Sequence, residues 1–108
     1  MTVNELEKSL NLKKLSTGEN KEINSCYISD MLSRVMGGCE AGDIWITVQS
    51  SMNMVAVATL AEVACVILPE NLTATEEVLQ KAAEENITIF TSAETAYTLV
   101  TRIAKILL

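Results

Sequence analysis

The chain has 108 residues, 49% of them apolar and 20% charged, with a formal charge of −6. That length fits one domain, and the composition is globular rather than disordered. Its eight Lys and Arg residues are scattered, so the clustered basic surface that a nucleic-acid partner requires is absent.

Near the start, Thr2-x-x-Glu5 has the form of a capping box and predicts a short helix to about Leu10. Residues 12–15 and 23–28 read as strands, separated by a turn at Thr17-Gly18-Glu19-Asn20. Ser29-Asp30 reads as the cap of a helix running through Met36, with Gly37-Gly38 ending it. Gly42-Asp43 then reads as a turn before residues 44–48, a short β-branched and aromatic run expected to be a buried strand.

Polar Gln49-Ser50-Ser51 leads into a helix over residues 52–63, where Met54, Val57, Ala58 and Ala61 recur at helical spacing. Residues 64–68 predict a second buried strand, stopped by Pro69. An amphipathic helix follows over residues 75–85, with Val78, Leu79, Ala82 and Ala83 inward. Its Glu77 and Lys81 stand one turn apart in the favourable order. Residues 87–91 predict a third strand. The last helix, from about Ala93 to Leu107, places Ala96, Val100, Ile103 and Leu107 on one side. Thr91-x-x-Glu94 is its expected capping box, and Arg102 and Lys105 lie toward its negative end. Strands alternating with helices through short connections imply right-handed crossovers and a largely parallel central sheet. No linker or repeat interrupts residues 1–108, which read as a single domain.

Cys26, Cys39 and Cys65 are odd in number and lack C-x-x-C spacing. The first residues also lack the charged and apolar regions of an export signal, so the expected setting is reducing and cytoplasmic. The longest apolar stretch, residues 54–68, is interrupted by Thr59 and Glu62. It falls short of the roughly 20 residues a membrane span needs, and no membrane partner is expected. The chain has no histidine, which removes Ser-His-Asp and Cys-His catalysis and the usual metal ligand sets. No Gly-rich loop ends in Gly-Lys-Ser or Gly-Lys-Thr. No catalytic residue, metal ligand or cofactor is therefore assigned.

Two strings carry a resemblance. Ile28-Ser29-Asp30-Met31-Leu32-Ser33-x-Val35-Met36 is followed by Gly42-Asp43-x-Trp45-Ile46-Thr47-x-Gln49 and then by Asn53-x-Val55-Ala56-Val57-Ala58. This order resembles the DRTGG domain family over nearly the whole chain. Such domains accompany CBS domains in regulatory pyrophosphatases, and a related fold forms the N-terminal domain of HPr kinase/phosphorylase. The resemblance implies a three-layer α/β/α domain, a homodimer, and a regulatory or assembly role that is not enzymatic. It also implies a partner protein. Stand-alone relatives lie near genes for iron hydrogenase subunits in anaerobic bacteria, which makes a hydrogenase-related assembly the first choice. Two positions depart from many relatives: Ser25-Cys26 replaces Gly-Gly before Tyr27, and Ser50-Ser51-Met52 replaces an acidic and basic pair.

In open α/β sheets, ligands bind outside the carboxyl ends of the strands. Here that edge is built from Gln49, Ser50, Ser51, Asn53, Asn71, Thr91 and Ser92, all neutral hydrogen-bonding residues, in loops of which two lead into predicted helix starts. A nucleotide or another small anion is the expected ligand class. The same residue types also serve as N-caps and turn residues, a role that needs no ligand. The glutamates at 70, 76, 77, 84 and 85 read as a solvated acidic face. The high apolar content leaves surplus for a subunit interface.

Overall fold

Residues 1–107 are described by the computed structural model. They form, in order, α1 (Val3–Leu10), β1 (Lys13–Ser16), β2 (Cys26–Ile28), α2 (Leu32–Gly38), β3 (Ile44–Ile46), α3 (Met52–Ala61), β4 (Cys65–Leu68), α4 (Glu76–Glu84), β5 (Ile89–Thr91) and α5 (Ala96–Leu107). The expected capping box opens α1: Glu5 N donates to the Thr2 hydroxyl, and Thr2 N donates to the Glu5 carboxylate at 3.0 Å.

The strands form one sheet in the order β1-β5-β4-β3-β2. Strands β2 to β5 are parallel, and β1 joins β5 antiparallel. Side chains alternate across this sheet, as strand geometry requires. Ile44, Ile46, Cys65, Ile67 and Phe90 enter one apolar cluster with Val3, Leu6, Leu10, Leu99 and Ile103 from α1 and α5. Trp45, Val66, Leu68 and Ile89 enter the other, with Val35, Met54, Val55, Ala58, Val78 and Ala82 from α2, α3 and α4. Both faces are covered, so the central strands read as continuous apolar runs. Three successive parallel connections stepping in one direction put their helices on one face, and the terminal helices close the other. The result is the three-layer α/β/α domain, with five helices among the described residues.

Several local expectations are corrected. Helix α2 starts one residue later than its predicted cap: Met31 is the N-cap and contributes no side-chain bond. Gly37 and Gly38 form its last turn, and Cys39 follows as the C-cap. The start of α5 is set by Thr95, whose hydroxyl accepts from Thr98 N. Thr91 instead donates its hydroxyl toward the carbonyls of Leu68 and Leu72, the latter at 2.7 Å. Lys81 pairs with Glu85 at 3.1 Å rather than with Glu77. Val78 and Ala82 are buried in α4, whereas Ala83 is exposed. The strand expected from residue 23 begins at Cys26, and residues 17–20 form an irregular loop.

The two sheet edges differ. Edge strand β1 carries Lys13 and Lys14 and a register irregularity before Ser16. Lysines and irregular pairing are devices that blunt an edge against strand addition. Edge strand β2, Cys26–Ile28, carries no charge, and Ile28 is 49% exposed.

Candidate functional site

At the carboxyl ends of β2 and β3, one acidic side chain ties two loops together. Asp30 Oδ1 accepts from the Thr47 hydroxyl at 3.0 Å and from Val48 N at 2.9 Å. The Asp30 carbonyl accepts from Gln49 Nε2 at 2.9 Å, and Gln49 N donates to the Thr47 hydroxyl at 3.1 Å. Beneath this knot, the fully buried Trp45 donates its indole N–H to the Ser29 carbonyl at 2.9 Å. A buried tryptophan needs such a partner for its polar edge. Asp30 was expected as a helix cap; it is the centre of this junction.

A second junction joins the ends of β4 and β5. Asn71 N donates to the Ser92 carbonyl at 2.7 Å, and Glu70 N donates to the Glu94 carbonyl at 2.9 Å. Glu70 and Asn71 both adopt the left-handed backbone, with φ of 57° and 59°. The Ser92 hydroxyl accepts from Glu94 N at 3.1 Å. Thr91 is buried and committed to carbonyls, so it is a structural residue here.

The seven residues expected at the strand ends therefore divide. Gln49 belongs to the Asp30 knot, while Asn71, Thr91 and Ser92 belong to the β4–β5 junction. Ser51 is the N-cap of α3 by backbone position, with no side-chain capping bond, and it is exposed together with Asn53. Ser50 is half-buried beside it.

Ser92 also lines a polar cleft of about 320 Å³ with Leu10, Asn11, Ala93, Glu94 and Arg102. Arg102 Nη1 donates to Glu94 Oε1 at 2.6 Å, and Arg102 Nη2 donates to the Ser9 carbonyl at 3.2 Å. Glu94 and Arg102 lie eight residues apart, so neither helical spacing nor a capping pattern signals the pair. A separate apolar groove of about 330 Å³ runs between α3 and α4, walled by Met52, Val55, Ala56 and Leu60, with Lys81 and Glu85 at one side.

Asp43, expected only as a turn residue, is buried and accepts from Glu40 N, Ser25 N and Asn24 Nδ2 at 2.9–3.2 Å. Two cysteines lie within reach of its charge. Burial first, and the Asp43 carboxylate second, push the Cys26 and Cys39 thiols up to about 11. Burial drives Cys65 higher still. These are the opposite conditions from those that activate a thiol. Among the described residues no group of three or more Cys, Asp or Glu side chains is placed to hold a metal ion, and no helix is long and apolar enough to cross a membrane.

No match is found among curated proteins. Among solved structures, the fold is similar to the CBS and DRTGG domains of the regulatory region of Clostridium perfringens pyrophosphatase, complexed with its activator diadenosine tetraphosphate. The two share 18% identity with a TM-score of 0.71, over 94% of this chain and 47% of that one. The present chain thus spans about half the length of its structural neighbour. The model of the DRTGG domain matches residues 5–106. The chain belongs to the DRTGG domain family.

Proposed function

We propose that this chain is a non-catalytic regulatory or assembly module that pairs with a second copy and docks on a partner protein. The observation that carries this reading is the uncharged β2 edge and the exposed apolar side chains beside it. Ile28 lies on it, and Met31 and Met36 follow in the next segment, at 49%, 60% and 48% exposure. Exposed apolar groups beside an open strand edge favour association by strand addition or face packing. The absence of histidine and of a phosphate-binding loop in the sequence supports a role without chemistry. Three unpaired thiols fit a reducing cytoplasmic setting. A hydrogenase-related assembly is the first partner to try.

Sedimentation velocity on the wild type and on Ile28→Lys with Met31→Lys tests the pairing. A dimer that becomes a folded monomer in the variant supports the reading. A wild-type monomer at all concentrations removes the self-association half of it. Co-elution with the partner tests the rest.

A second reading, a sensor for a small nucleotide or anion, is favoured by the activator complex of the structural neighbour. The strand-end loops would hold the ligand. Thermal unfolding against adenine nucleotides, phosphate and sulfate decides it, because a ligand bound only by the folded state raises the melting temperature. A flat response across the panel would end this reading.

A further inference from the structure

Helix α3 is apolar on most sides although it lies in an outer layer. Eight of its ten residues are apolar and none is charged, which makes it the one helix among the described residues without a charged side chain. A helix that is apolar all round is ordinarily covered all round. Here Met54, Val55 and Ala58 are buried in the cluster over the sheet, whereas Met52, Ala56 and Leu60 are exposed, Leu60 by 68%. These three stand at successive i, i+4 positions, so they form one stripe along the outer face, large, small and large. The stripe borders the groove of about 330 Å³ between α3 and α4. In that groove Thr59 donates its hydroxyl to the Val55 carbonyl at 2.9 Å, and Lys81 pairs with Glu85 at 3.1 Å. The polar groups of the lining thus have partners, and an apolar side chain is what fits the remaining space.

Charge selects the occupant. Each copy carries a formal charge of −6, so two copies associate where their like charges stay apart. Helix α3 is such a surface, whereas α4 beside it carries Glu76, Glu77 and Glu84. A basic partner would gain from those glutamates and nothing from α3. The stripe is moreover its own complement. About a twofold axis at Ala56, antiparallel α3 helices place Leu60 of one copy opposite Met52 of the other, because each lies four residues, about 6 Å, from Ala56. The alanine in the middle lets the two backbones approach. An interface of standard size takes about 800 Å² per partner, so the contact extends past α3 onto α2 and α4, which both pack on it.

From these features we infer that the outer face of α3, centred on Ala56, is an isologous interface between two copies of this chain. This inference rests on the pairing reading and moves its twofold axis from the β2 edge to α3, leaving that edge to the partner protein.

The test is sedimentation velocity of the full chain as wild type, as Ala56→Glu, as Ala56→Lys, and as an equimolar mixture of the two variants. Ala56 is exposed, so both variants should fold, which a circular dichroism melt confirms. At a twofold axis each introduced charge meets its own copy. Each variant alone should therefore self-associate at least about tenfold more weakly than the wild type, and the mixture should recover a dimer of one variant with the other. Undiminished dimers of both variants overturn the inference, and so does a mixture that recovers nothing. In either case a dimer lost on Ile28→Lys with Met31→Lys keeps the pairing reading at the β2 edge. A wild-type monomer at all concentrations removes both and assigns the groove to a different chain.

Discussion

The Asp30 carboxylate accepts the Thr47 hydroxyl at 3.0 Å, and this contact joins the carboxyl ends of two neighbouring parallel strands. The same oxygen also takes Val48 N, while the Asp30 carbonyl takes the Gln49 amide. One side chain thereby sets the path of both loops before α2 and α3.

Asp30→Ala should therefore be markedly destabilising. It leaves the buried Thr47 hydroxyl and the Val48 amide without their acceptor, and losses of this kind cost about 1–3 kcal/mol. Urea unfolding by circular dichroism measures it. Asp30→Asn retains an acceptor oxygen and should lie between the wild type and the alanine variant. Equal stability of all three would show that the knot adds nothing.

The buried indole separates packing from hydrogen bonding. Trp45→Phe removes the bond to the Ser29 carbonyl and leaves most of the ring volume, for an expected loss of about 1–3 kcal/mol. Trp45→Ala also opens a cavity against Val66 and Met54, and should lose about 3–5 kcal/mol. Denaturant midpoints of the two variants give the comparison.

Thiol chemistry should follow burial. With Cys26 and Cys39 raised from an ordinary value of 9.0 to about 11, disulfide-exchange reagents should label the folded protein slowly near neutral pH. Labelling should quicken as pH approaches 11, with Cys65 reacting only after unfolding. These groups have folded values above their unfolded ones. Their favourable contribution is complete below about pH 9 and declines as pH rises through about 11. Melting temperature followed from pH 7 upward should fall over that interval. In a Cys26→Ser, Cys39→Ser protein the fall should be smaller.

Gly18 marks a close approach of backbones. A Cβ built there would come within 2.8 Å of Thr88 N and meet the Asn86 carbonyl more closely still. Gly18 N donates to the Thr88 hydroxyl at 2.9 Å, so the segment has little room to move away. Gly18→Ala should cost about 1–3 kcal/mol, the range for overpacking, as read from thermal unfolding. Gly37→Ala meets no atom within 4 Å and lies in the last turn of α2, so this control should keep or raise stability, by up to about 1 kcal/mol.

The parts of this fold legible in the sequence are those governed by local pattern. Strands β3 to β5 are short apolar runs, buried on both faces, and helix α4 follows from periodicity, whereas α3 is apolar on most sides and buries Val55 in place of the expected Val57 and Ala61. What was missed is the choice between local and distant partners for the same polar side chain. Asp30 precedes an apolar helical run and could cap it, yet it bonds the next strand's loop. Thr91 stands three residues before Glu94, as a capping box would, yet its hydroxyl serves carbonyls of the β4 end. Glu94 reads as the partner of that capping box and Arg102 as a complement to the helix dipole, and the two form an ion pair. Each alternative depends on which strands become neighbours, and that is decided by the sheet rather than by spacing. That these residues lie at the strands' carboxyl ends follows from parallel topology, while their division into two groups depends on loop-to-loop hydrogen bonds.

The antiparallel pairing of β1 with β5 has a kinetic consequence. Ser16 Oγ donates to the Ile87 carbonyl across 71 residues of sequence and accepts from Ile89 N across 73. Those bonds reward the chain only after a loop of that length has closed, whereas β2 to β5 can assemble through neighbouring units. The four parallel strands with α2, α3 and α4 can therefore form first. Strand β1 then settles last against a sheet edge that stays open in the meantime. Folding should show its slowest structural phase at Ser16 and Leu15, long after Trp45 is buried.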